Sequence, residues 1–130
     1  MNKRILQWGA LLGAIAVALG AFGAHGLKKI VPPETVNTFD TGVKYQFYHS
    51  LALLILGLLA EKFPGKSLRA AGYCFLTGIL LFSGSLYVLT ALKATDNVGL
   101  GGLGIVTPIG GLFFIAGWLT LLWTVFTKEP

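Results

Sequence analysis

"PETVNTFDTGVKYQFYHSLALLILGLLA", residues 33–60, decides how many times this chain crosses a membrane. Its strictly apolar part, Leu51–Ala60, is ten residues long. At about 1.5 Å per residue that is half of the roughly 30 Å of hydrocarbon in a bilayer. A crossing here must therefore begin earlier and carry polar groups inward. Pro33 suits the first position of a helix and Glu34 its first turn. Val36, Phe39, Val43 and Phe47 then recur at three- and four-residue spacing. That spacing predicts an amphipathic lead-in near the membrane surface, a bend at Gly42, and a span proper over Val43–Ala60.

The rest of the chain is easier to read. Ile5–Ala24 is twenty residues without a charge, which reaches spanning length. Ala70–Leu92 and Pro108–Thr127 reach it too, with Thr107 and Pro108 reading as N-cap and first helical residue. "EKFPGKSLR" (61–69) and "KATDNVGLGGLG" (93–104) separate the runs. "MNKR" before an apolar run also resembles a signal peptide, with Ala21-Phe22-Gly23 as a passable cleavage site. The run is longer than a signal core, so a retained helix is expected. The expectation is an all-α polytopic membrane protein: one domain over 1–130, folded as a four-transmembrane-helix bundle.

Composition agrees. Charged residues make up 12%, against about 25% in soluble domains, and the mean hydropathy is +0.76. The net charge of +5 could suggest nucleic acid, but the basic residues lie between apolar runs, as in loops that face lipid headgroups. No nucleic-acid partner is expected; membrane lipids are. The single cysteine, Cys74, can form neither an intrachain disulfide nor a cysteine-rich zinc site, and reads as a small buried hydrophobe.

Four crossings place Lys3, Arg4, Lys62, Lys66, Arg69 and Lys128 on the side of the N-terminus. Lys28, Lys29, Lys44 and Lys93 fall on the other. The positive-inside rule then puts both termini in the cytoplasm. Trp8, Tyr73 and Trp123 fall near the first side, Tyr45, Tyr48 and Tyr87 nearer the second, and Trp118 deeper, where it packs.

Polar residues collect toward the second side. His25 closes the first run; Lys44, Tyr45, Gln46 and His49 open the second; Ser83, Ser85, Tyr87 and Thr90 lie late in the third. Tyr45, Gln46 and His49 share a helix face by their spacing. Polar groups at such depth turn toward the bundle interior or a water cavity, while Lys44 snorkels to the interface. His25, Lys44, Tyr45, Gln46, His49 and Tyr87 are therefore the candidate ligand-binding residues. Four readings stay open for them: a satisfied interior tie between helices, a site for a lipid headgroup or another small polar group, a route for a proton or small solute, and bis-histidine ligation of haem or metal through His25 and His49. Two histidines without a third ligand make a poor zinc site, so neither metal nor cofactor is expected.

Gly9 and Gly13 form GxxxG, and Ala16, Gly20 and Ala24 continue a small residue at every third or fourth position. The stripe reads as a helix contact, within the chain or in a homo-oligomer; Gly57, Gly78, Gly84, Gly110, Gly111 and Gly117 put small residues on the other spans. In "GAFGAHGLKK" (20–29), Gly20, Gly23 and Ala24 are expected to seat the start of the second helix, bringing His25 and His49 into one layer at the membrane boundary. "GLGGLGIVTPIGG" (99–111) lacks the lysine and the serine or threonine of a phosphate-binding P-loop. No catalytic set is recognisable either: Glu34, Asp40, Glu61, Asp96 and Glu129 all fall in loops or near helix ends.

"GAFGAHGL" (20–27), "TGVKYQFYHSLALL" (41–54), "FSGSLY" (82–87) and "TPIGGLFFIAGW" (107–118) occur in an order that resembles the domain-of-unknown-function family 423. These are small four-span bacterial membrane proteins, similar to eukaryotic transmembrane protein 256. The resemblance covers nearly the whole chain. It implies a multi-pass protein of the bacterial plasma membrane and carries no established reaction, substrate or cofactor. His25, Tyr45, Gln46 and His49 lie within its motifs.

Overall fold

The computed structural model describes residues 1–96 and 102–129, and those residues form helices joined by short turns. α1 (Lys3–Ala24) starts at Asn2, whose side-chain oxygen accepts the Ile5 backbone N–H at 3.2 Å. That bond satisfies one of the free donors of a helix start. A short 3₁₀ turn, Leu27–Lys29, follows, and Leu27 and Val31 are buried, which anchors the connection. α2 (Pro33–Leu59) starts at Pro33 with Glu34 in its first turn, as the sequence predicts.

No break in the helix falls at the expected bend, Gly42. Lead-in and span form one unbroken rod of 27 residues. Gly42 has another use: a Cβ there would come within 3.0 Å of the Tyr87 ring and 3.3 Å of Leu86. The missing side chain lets a neighbouring helix approach α2 closely.

α3 (Lys66–Gly78) begins after Gly65, whose φ of +126° is one that glycine adopts without strain. It runs through a π turn, Ile79–Ser83, into α4 (Gly84–Ala94), so the expected third span is one rod with a wider turn inside it. α5 (Leu103–Thr127) corrects the expected N-cap at Thr107: the helix starts five residues before Pro108, and Pro108 sits inside it. So near the start, the proline removes a single backbone bond to Gly104. The Thr107 hydroxyl is not capping a helix but is hydrogen-bonded to that of Ser85.

Lys3–Lys29, Lys66–Ala94 and Leu103–Thr127 are long and apolar enough to cross a membrane. α2 runs antiparallel beside the first of them. A Cβ at Gly23 would lie 3.0 Å from Phe39, one at Gly20 would lie 3.4 Å from Val43, and one at Gly9 would lie 3.0 Å from the Ser50 carbonyl. At the far end a Cβ at Gly57 would lie 2.6 Å from Leu6, and the Asn2 N–H donates to the Gly57 carbonyl at 2.9 Å. α5 pairs with the α3–α4 rod in the same way, Gly110 against the Phe82 backbone, Gly78 against Phe114 and Gly117 against Phe75.

The interior falls into two apolar clusters. One gathers Leu53, Leu56, Leu68, Phe75 and Phe114 around Ile5 and Phe63; the other gathers Ala16, Leu27, Val31, Phe39 and Val43. Gln46, His49 and Ser50, all buried, lie between them along α2.

Candidate functional site: a polar layer at mid-depth

Gln46 and His49 are three residues apart on α2 and reach different partners. Gln46 Nε2 donates to the Leu12 carbonyl of α1 at 2.8 Å. Its Oε1 accepts the Tyr87 hydroxyl of α4 at 2.7 Å. One side chain thus joins three helices.

His49 does the same toward α5. Its Nε2 lies 3.0 Å from Trp118 Nε1 and its Nδ1 lies 2.7 Å from the Tyr45 carbonyl. An indole nitrogen only donates, so Nε2 must accept. The proton of the neutral ring then sits on Nδ1 and is donated to Tyr45. The ring stacks on Phe114 with centroids 3.7 Å apart and an interplanar angle of 10°. Phe75 closes in at 5.2 Å, and Tyr45 packs on Phe82 at 4.7 Å.

The hydroxyls follow suit. Ser50 donates to the Gln46 carbonyl at 2.7 Å and Ser83 to the Gly42 carbonyl at 2.7 Å. Thr90 donates to the Leu86 carbonyl at 2.8 Å. Away from water these bonds are what make the burial of polar side chains tolerable.

The six candidate residues do not form one group. Tyr45, Gln46, His49 and Tyr87 come together. His25 is exposed at the end of α1. His49 is level with Leu12 and Gly9 through its neighbours Gln46 and Ser50, so about 20 Å of helix separates the two histidines. The expected shared layer is therefore not formed, and the two rings cannot ligate one haem iron. The physical reason is that residues 33–42 continue straight into the rest of α2 alongside α1, Phe39 meeting Gly23, which carries His49 about half-way along α1. Lys44 is exposed and pairs with Asp40 one turn earlier at 3.0 Å. Among the described residues no three His, Cys, Asp or Glu side chains gather as metal ligands.

The glycine stripe lies where the sequence suggests a contact. Gly9, Gly13, Gly20 and Gly23 all face α2 side chains or backbone, and Ala16 is buried, while Ala24 is exposed. The seat at Gly20 and Gly23 holds Val43 and Phe39 rather than a polar group. The first glycines of the stretch 99–111 fall outside the described residues.

Sequence reasoning left Trp118 as simple packing and did not name Phe75 or Phe114. The usable signal was the position of Trp118 in the middle of an apolar run: an indole N–H away from water needs an acceptor, and His49 is a mid-helix acceptor of the right kind.

The chain matches the family model described as "Protein of unknown function (DUF423)" over residues 19–111. It belongs to this family. A UPF0382 membrane protein of Bacillus subtilis, YwdK, is 42% identical over 121 residues, covering 92% of this chain and 94% of the relative. A UPF0382 membrane protein of Haemophilus influenzae is 41% identical over 129 residues, covering 99% and 98%. The UPF0382 membrane protein C1782.12c of Schizosaccharomyces pombe is 40% identical over 114 residues, covering 87% and 93%. No solved structure matches. The family is thus one of uncharacterised membrane proteins with members in bacteria and a eukaryote. Its matched region holds every partner of Gln46 and His49 named above except Leu12, which lies before residue 19, and Phe114 and Trp118, which lie beyond residue 111.

Proposed function

We propose that the chain is a non-enzymatic, four-span protein of the bacterial plasma membrane, with both termini cytoplasmic, whose polar layer ties its helices together. The observation that carries this reading is His49: both ring nitrogens have partners and one face is covered by Phe114. A ring held at both nitrogens by groups of its own fold, a carbonyl and an indole N–H, is used as a tie between helices. The antiparallel run of α2 along α1, from Phe39 beside Gly23 to Gly57 beside Leu6, supports the fourth crossing. Lipid contacts then belong to the outer faces. A shallow groove of about 260 Å³ between α1 and α2 is lined by Val17, Gly20, Val43, Phe47 and Tyr48, with Lys44 at its edge.

Single cysteines in a Cys74→Ala background test the span count with a membrane-impermeant maleimide. Four spans require Lys28→Cys and Lys62→Cys to label from opposite sides of the membrane, and labelling from the same side contradicts them. A transport reading has one observation in its favour, the π turn Ile79–Ser83 beside Ser83, since such turns collect at functional sites. Proton uptake into proteoliposomes that is lost in His49→Ala would overturn the tie in favour of transport.

A further inference from the structure

Near their starts α1 and α3 meet where Ile5 reaches Gly72, at which a Cβ would lie 3.1 Å from the Ile5 side chain, and a cavity of about 360 Å³ is lined by both helices. Arg4 and Trp8 line one wall and Arg69 and Tyr73 the other, with Ile5 between the walls and Leu76 one turn below Tyr73. The pattern repeats: on each helix an arginine stands four residues before an aromatic, which puts both on one face, one turn apart. A second cavity of about 400 Å³ shares Arg4 and Arg69 as walls and adds Lys3.

Among the described residues neither guanidinium is paired with a carboxylate. Among the described residues the ion pairs are Lys44 with Asp40 and the Met1 amino group with Glu61 at 3.9 Å, so one of the two acidic side chains of this end, Glu61, is turned to the terminus and the other, Glu129, is paired with neither arginine. Both arginines sit in the first turn of a helix, where the helix dipole adds further positive potential. The arrangement is cationic at one level and aromatic one turn deeper. Below that it is apolar. A phospholipid has the complementary order: phosphate, glycerol and ester region, acyl chain. Arginine holds phosphate with two parallel hydrogen bonds, and tryptophan and tyrosine settle at the ester level of a bilayer.

We infer that Arg4 and Arg69 hold the phosphate of an anionic phospholipid between α1 and α3, with Trp8 and Tyr73 flanking its glycerol region. This site is separate from the polar layer and from Lys44, and it goes beyond the tie proposed above.

Native mass spectrometry of the full-length protein in detergent tests it, with phosphatidylglycerol and phosphatidylcholine added in equal amounts. The wild type is expected to retain phosphatidylglycerol at least about tenfold better, the scale of two basic groups near an anionic lipid. Arg4→Gln/Arg69→Gln is expected to bring the two lipids level, while Lys44→Gln keeps the preference. Arg4→Lys/Arg69→Lys retains part of it and serves as the check if the glutamine variant melts early. Equal retention of both lipids by the wild type, or an unchanged preference in the glutamine variant, overturns the site. Displacement of phosphatidylglycerol by millimolar inorganic phosphate overturns the lipid in favour of a soluble phosphate ligand.

Discussion

Trp118 Nε1 donates to His49 Nε2 at 3.0 Å, joining residues 69 positions apart in the chain. The bond links α5 to α2 through the middle of the molecule and selects the tautomer of the histidine. Gln46, one turn earlier on α2, makes the equivalent link to α1 and α4. α2, the most polar of the long helices, is therefore the one that the other three are bound to.

The tautomer is directly observable. Nitrogen-15 NMR of the protein labelled at histidine is expected to show His49 protonated on Nδ1. A His49 signal of the Nε2-protonated form would mean that Trp118 does not donate to it.

Gln46→Leu leaves the Tyr87 hydroxyl without its acceptor and removes the second bond to the Leu12 carbonyl. The expected loss is about 1–3 kcal/mol of unfolding free energy in detergent, the usual cost of orphaning a buried polar group. Adding Tyr87→Phe to it should cost little more, because the orphan is then gone. Full additivity of the two changes would show that the bond is not made.

Close helix approach makes the glycines unequal. A Cβ at Gly110 would collide with the Phe82 backbone, which cannot swing aside as a side chain can. Gly110→Ala is expected to lower stability by about 1–3 kcal/mol, as overpacking does. Gly104 has nothing within 4 Å of such a Cβ, and Gly104→Ala should be neutral or slightly stabilising. Thermal melts of the two variants in the same detergent check the contrast.

The two histidines should behave as different kinds of residue. His25 is exposed, so His25→Ala is expected to change stability by no more than about 0.5 kcal/mol. His49→Ala leaves the Trp118 N–H unpaired and a gap beside Phe75 and Phe114, and should cost several times as much. Equal effects would argue against the assigned layer.

The apolar runs were legible because a bilayer demands length and hydrophobicity, and Ile5–Ala24 and Ala70–Leu92 satisfy both. The small-residue stripe from Gly9 to Gly23 was legible for the same kind of reason, since backbone can approach backbone only where side chains are missing. The depth of His49 was not. It depends on how residues 33–42 pack, and the choice between a surface lead-in and a helix continuous with the rest of α2 turns on tertiary contacts such as Gly42 with Tyr87. The start of α5 failed likewise: Thr-Pro is a strong local signal for a helix start, and the Ser85 hydroxyl took Thr107 instead. Trp118 was hidden because its partner is 69 residues away and no spacing rule connects them. Arg4 and Arg69 entered the sequence reading as charges to be counted, and only the adjacency of α1 and α3 brings them to one cavity.

The central claim is that the polar layer holds the helices together, and a double-mutant cycle measures that directly. His49→Phe, Trp118→Phe and the double variant keep an aromatic ring at each position while removing each half of the bond and then both. Unfolding free energies in detergent are expected to give a coupling of about 1 kcal/mol, within the range of hydrogen bonds between membrane helices, with the double variant losing less than the two single changes added. Strict additivity, with no coupling between the two positions, would contradict the account.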